Sequence, residues 1–234
     1  METPFPPFEP HGGPARHGAK IRDIPLRMML PNLVTVLAIC AGLSGIRLAF
    51  EGRFEIAVVM VLLAAFLDGI DGRVARALKA TSKFGEQMDS LADIVNFGAA
   101  PGLVLYAYML DRAGSLGWTA ALLFAIACGL RLARFNVQIA DPDKPAWMAD
   151  YFTGVPAPAG AVLVMLPVYL GFLGLEANPF VVYAACAYTV IVAVLLVSTL
   201  PVFSGKSSSS KVRGDVVFPL ILVAVFYVLM LFSF

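Results

Sequence analysis

The sequence predicts an all-α integral membrane protein, a bundle of about seven transmembrane helices with a polar cavity at its cytoplasmic side. Hydrophobic residues make up 59% of the 234 and charged residues only 14%, far from the balance of a soluble domain. Apolar runs of roughly 20 residues, enough to carry a helix across about 30 Å of hydrocarbon, recur along the chain. The basic residues are also segregated, with fourteen of the 17 Lys and Arg falling on one side of the proposed spans.

Residues 1–18, rich in Pro and Gly, bury too little surface to order themselves and read as a disordered cytoplasmic tail ahead of a single membrane domain, 19–234. Basic and apolar residues mix from Ala19 to Met29, which suits a segment in the headgroup region. The expected spans are 29–50, 54–76, 88–110, 115–136, 157–175, 179–200 and 216–233. The first follows no short charged n-region and is expected to be an uncleaved span. Very short connections after residues 50, 110 and 175 impose antiparallel hairpins. The loop 137–156 is expected to cover part of the cytoplasmic face, and Lys206–Gly214 to be a basic linker near anionic lipid. Arg47, Arg53 and Arg112 alone fall on the opposite side, so the N-terminus and the even-numbered loops are assigned to the cytoplasm. Cys40, Cys128 and Cys186 all lie within spans and read as buried small hydrophobes, not a disulfide framework.

Charges at membrane depth are expensive and mark function. The second span ends with Asp68 and Asp71, three apart, and the third opens with Asp89 and Asp93, four apart. On helices each pair shares a face, and a short turn can bring the two faces together. Four carboxylates at reduced dielectric repel one another unless cations neutralise them. Oxygen ligands without Cys or His favour Mg²⁺ or Mn²⁺, or Ca²⁺, over zinc. Two ions could share bridging carboxylates, the arrangement that clamps phosphoryl oxygens during displacement.

The full pattern is Asp68-x2-Asp71-Gly72-x2-Ala75-Arg76-x8-Gly85-x3-Asp89-x3-Asp93, eight fixed positions over 26 residues. In this it resembles the signature of the CDP-alcohol phosphotransferase family. The resemblance implies that Asp68, Asp71 and Asp89 bind the metal ions that grip the diphosphate of a CDP-linked lipid. It implies that Asp93 completes the metal site and acts as general base on the acceptor hydroxyl. Gly72, Ala75 and Gly85 would let cytidine approach helix backbone, and Arg76 would pair with phosphate or nucleotide. Asn32 and Thr35, at the same depth on the first span, would contact the diphosphate. Small residues in membrane helices also serve plain close packing, so the glycines and Ala75 alone would not carry this reading. A cation transporter is the rival from another class, since transporters too use intramembrane acids.

Asn96–Pro101, Arg131–Asn136 and Phe152–Ala159 further resemble the phosphatidylserine-forming branch of that family, with Asn96 where a serine is expected. This resemblance implies CDP-diacylglycerol as donor, L-serine as acceptor and CMP as leaving group. Arg131 and Arg134 share a helix face and would bind the serine carboxylate beside Asn136. Sister enzymes acting on glycerol 3-phosphate or an inositol-type acceptor are the near rivals. The family also implies a homodimer in a bacterial cytoplasmic membrane.

Overall fold

The computed structural model describes residues 26–80, 82–140, 151–198 and 201–203. The expected tail 1–18, the segment 19–25, most of the loop 137–156, the linker 206–214 and the span 216–233 lie outside the described residues.

Helix α1 (Leu26–Phe50) and α2 (Phe54–Ala77) form a tight antiparallel hairpin. Gly52, at φ 77°, turns the chain between them in a conformation that side chains resist. After a turn with Lys79 at φ 50°, α3 (Lys83–Asp93) begins at Ser82, whose side chain accepts the Gly85 N–H. The helix then widens into a π-helical turn, Ile94–Ala99, and continues as α4 (Ala100–Tyr108). Pro101 has no N–H to give the Phe97 carbonyl, and the wider turn precedes it, with the Ala100 N–H bonding the Val95 carbonyl. A 3₁₀ turn (Leu110–Ala113) leads into α5 (Ser115–Ala140). Strand β1 (Tyr151–Thr153) precedes α6 (Ala157–Val164), α7 (Leu166–Phe172), α8 (Pro179–Val197) and β2 (Pro201–Phe203). The two strands pair antiparallel, Phe152 opposite Val202, joining the entry to α6 with the exit from α8. This small ladder is the one departure from an all-helical fold among the described residues.

Among the described residues, four helical stretches are long and apolar enough to cross a membrane: Met29–Phe50, Lys83–Tyr108, Ser115–Gln138 and Pro179–Val197. Helix α2 has comparable length, 24 residues, but concentrates Asp68, Asp71, Arg73 and Arg76 at one end. The expected span 157–175 is instead the shorter apolar stretch Ala157–Phe172, interrupted at Met165. Pro167 explains the interruption, because it cannot donate to the Leu163 carbonyl four residues earlier. The Tyr188 hydroxyl on α8 donates to that carbonyl at 2.8 Å.

The core runs through all of these helices and is built mainly of small and branched side chains, among them Ala57, Val58, Val104, Ala121, Val164 and Ala193 around Phe124 and Met109. Small residues let the helix backbones approach closely where lipid offers no hydrophobic drive. The outer surface is apolar as well, exposing Leu33, Leu37, Leu122, Ile126, Leu130 and Ile191. Apolar inside and out is the pattern of a helix bundle whose solvent is lipid. Cys128 and Cys186 are buried as expected, whereas Cys40 lies exposed on the outward side of α1.

The chain packs tightly where α5 leaves the 3₁₀ turn: a Cβ on Gly117 would overlap the Leu110 carbonyl oxygen. Gly117→Ala is therefore expected to cost about 1–3 kcal/mol of stability. Thermal unfolding in detergent would show a lower midpoint, and an unchanged midpoint would contradict this approach.

Candidate active site

Three helix ends build the site. The last three turns of α2 carry Asp68, Asp71, Gly72, Ala75 and Arg76, the first three turns of α3 carry Gly85, Asp89 and Asp93, and α1 supplies Asn32 and Thr35. The five-residue turn between α2 and α3 brings the two acidic faces together. One ligand oxygen from each of Asp68, Asp71 and Asp89 falls in a group whose members lie within 4.8 Å of one another. The Asp93 carboxyl stands beside that trio, within hydrogen-bonding reach of Asp68.

Asp71 is buried, 3% exposed, and is the best-held of the four. Thr35 Oγ1 donates to its Oδ2 at 2.7 Å, and the Gly72 N–H donates to its Oδ1. Thr35 Oγ1 also lies 3.1 Å from the Pro31 carbonyl, which holds the hydroxyl on the inner face of α1. Asp68 Oδ1 is buried with no donor. An uncompensated buried carboxylate oxygen beside two more acids is what a hard cation would satisfy. The oxygen-only donor set fits Mg²⁺ or Mn²⁺, so this trio can hold a divalent ion.

A cleft of about 260 Å³ opens beside the acids. Asn32, Thr35, Asp71, Gly72, Ala75, Arg76, Gly85 and Asp89 all line it. Pro31, Ala80, Ser82 and Glu86 complete the lining, and the sequence reading passed over all four. Ser82 was findable: a serine immediately before a helix start is a capping signal. The wall is tight at Gly85, where a Cβ would sit 3.1 Å from Asn32 Oδ1 and 3.2 Å from Ser82 Oγ.

The residues expected at the acceptor side do not converge. Arg131 is buried, 8% exposed, close enough to Asp93 for their charges to interact, with its guanidinium 5.4 Å from the centroid of the Phe135 ring. Arg134, three residues on, points elsewhere, and its Nη1 donates to the Val197 carbonyl at the end of α8 at 2.7 Å. Asn136 donates to Ser90 Oγ on α3 at 3.0 Å.

Comparison with known proteins follows the same residues. The family model described as CDP-alcohol phosphatidyltransferase matches residues 28–197. A CDP-diacylglycerol–serine O-phosphatidyltransferase of Mycobacterium leprae is 53% identical over 137 residues, which are 58% of this chain and 45% of that protein. One from Helicobacter pylori is 40% identical over 174 residues, 74% of this chain and 70% of that protein. The chain thus spans about half the length of the mycobacterial relatives it matches. In fold it is similar to the phosphatidylinositol phosphate synthase of Mycobacterium tuberculosis, at TM-score 0.52 and 18% identity over 74% of this chain and 91% of that one.

If the acid trio holds a divalent ion, millimolar Mn²⁺ or Mg²⁺ should raise the thermal midpoint of the detergent-solubilised protein, by the equivalent of about 2.7 kcal/mol at a hundred times Kd. Asp71→Asn and Asp89→Asn should abolish most of that rise. No response of the unsubstituted protein to any divalent ion would rule out the metal assignment.

Proposed function

This chain belongs to the CDP-alcohol phosphatidyltransferase family, and on that premise we propose that it transfers the phosphatidyl group of CDP-diacylglycerol to the hydroxyl of L-serine and releases CMP. The observation that carries the proposal is the single cleft in which Asn32, Thr35, Gly72, Ala75, Arg76 and Gly85 surround Asp71 and Asp89. A nucleoside diphosphate is served by small residues against the base, a cation for the phosphates and carboxylates able to hold a metal, and the cleft offers Gly72, Ala75 and Gly85, Arg76, and Asp71 and Asp89 for these. The names of the relatives point to serine as acceptor.

In this reading Asp68, Asp71 and Asp89, completed by Asp93, would hold Mg²⁺ or Mn²⁺, two ions in all, with Ca²⁺ a further oxygen-preferring candidate. When bound, the metal supplies charge neutralisation at the diphosphate oxygens. Arg76, at the exposed rim, pairs with phosphate or nucleotide, while Asn32 and Thr35 orient the diphosphate from α1. The serine hydroxyl oxygen attacks the β-phosphorus, Asp93 accepts its proton, and the bond from that phosphorus to the oxygen of departing CMP breaks. Arg131, beside Asp93, is placed to receive the serine carboxylate. With Arg134 bonded to the end of α8 and Asn136 to Ser90, their part in acceptor binding requires those bonds to exchange for substrate.

The segregated basic residues support a cytoplasmic N-terminus and an active site on the cytoplasmic side of the inner membrane. Serine and CMP then exchange with the cytosol while the acyl chains stay in the bilayer. A homodimer completes the proposal, by analogy with the family.

The test is CMP release by purified protein with CDP-diacylglycerol and Mn²⁺ or Mg²⁺, with and without L-serine. Serine-dependent release with stoichiometric phosphatidylserine is expected. Asp93→Asn should reduce it by about 10²-fold or more, as loss of a general base does. Release only with glycerol 3-phosphate or an inositol phosphate would replace the acceptor. Ion flux without any release would favour a transporter.

A further inference from the structure

Asn96 is 0% exposed, yet neither Nδ2 nor Oδ1 of its amide has a hydrogen-bond partner. Among the described residues, the other buried side-chain atom in this condition is Asp68 Oδ1. An amide without a partner in a dry interior is costly, and at membrane depth no bulk water relieves it. Leucine has a similar shape and would incur no such cost. The polarity at this position therefore calls for a physical cause.

Its place in the fold supplies one. Asn96 is the third residue of the π-helical turn that begins directly after Asp93, and wide turns of this kind concentrate at functional sites. Asp93 in turn is within hydrogen-bonding reach of Asp68. The Asn96 amide oxygen fills the notch over Gly42 on α1, where a Cβ would come within 2.5 Å of it. Gly42 lies two turns from Thr35 on the same face of α1, so one helix face carries both the donor to Asp71 and the seat of this amide. The amide offers one donating and one accepting group, within the two to four polar partners a buried water requires.

We infer that Asn96 is a positioning residue: its amide holds an ordered water, or a file of two, that reaches Asp68 Oδ1 and braces the Asp68–Asp93 pair from the membrane side. The inference rests on the transfer reaction proposed above for its kinetic arm, and on no activity for its structural arm. Asn96 does not line the cleft, and its effect is to fix the carboxyl that takes the proton.

The experiment compares Asn96→Leu and Asn96→Ser with the unsubstituted enzyme, and looks for water density beside residue 96 in an experimentally determined structure of the unsubstituted protein. Asn96→Leu, with its thermal midpoint held or raised, should lose about tenfold or more in kcat, the scale of a misplaced reacting group, with KM for both substrates within about twofold. Asn96→Ser should keep most of kcat, since a hydroxyl retains a polar partner and frees room for a further water. Full kcat in a folded Asn96→Leu, equal losses in both variants, or an interior without water beside Asn96 would each overturn the inference. If the unsubstituted enzyme itself releases no CMP, the proposed reaction fails, and the water density alone decides this inference.

Discussion

Crowding of like charge is the constraint on which the rest of this structure depends. Two unit charges 4 Å apart repel by about 4 kcal/mol at the effective dielectric of a protein site, and here oxygens of Asp68, Asp71 and Asp89 gather within 4.8 Å with Asp93 adjacent. Such a cluster does not assemble itself, so the surrounding elements must hold it. The α1–α2 hairpin fixes Thr35 against Asp71, the Ser82 cap starts α3 at the register that aims Asp89 inward, and Gly85 lets α3 approach α1. Each of these is an ordinary packing or capping device. Their joint effect is to hold acids closer than they would choose, a store of unfavourable charge that a bound divalent cation would relieve.

Proline disrupts two of the helices, and the backbone groups involved are handled differently in each case. At Pro167 the freed Leu163 carbonyl is met by the Tyr188 hydroxyl, so the break between α6 and α7 carries a tertiary tie to α8. Before Pro101 the helix widens, and the i→i−5 bond from Ala100 to Val95 keeps the ladder paired through the turn. The first device shortens an element and pins it. The second keeps a long helix continuous from the acids to the opposite end while displacing Asn96 relative to an ideal α-helical path, directly below Asp93.

Much of this was readable from the chain. The spans 54–76 and 115–136 are close to the helices found, because each has a long apolar stretch with its charged residues confined near the ends. The acids were legible because charge at membrane depth needs a reason, and their spacing put them on helix faces that a short turn could join. What could not be read is where a polar group finds its partner across the fold. Nothing in residues 31–35 announces that Thr35 bonds to Asp71, and nothing around Pro167 announces Tyr188. The stretch expected as a span over 157–175 is shorter and broken at Met165 for a related reason, since hydropathy counts apolar residues and does not register a missing backbone donor.

The arginines of α5 show how one helix face can be divided between two neighbours. Arg131 and Arg134 stand three apart and so share a face, but α5 packs against both the π-helical turn after α3 and α8. Long side chains with rotatable stems reach opposite flanks from adjacent turns. Arg131 turns in toward Asp93, and Arg134 turns out to the unsatisfied carbonyl at the last turn of α8, where a cation is favoured by the helix dipole. The acid-bearing helix thereby divides two environments: the cleft walled by α1 and α2 on the side of Asp71 and Asp89, and the cationic flank of α5 on the side of Asp93. A donor bound in the first and an acceptor held in the second would meet only across the carboxylates, and this confines any reaction between them to the acids themselves.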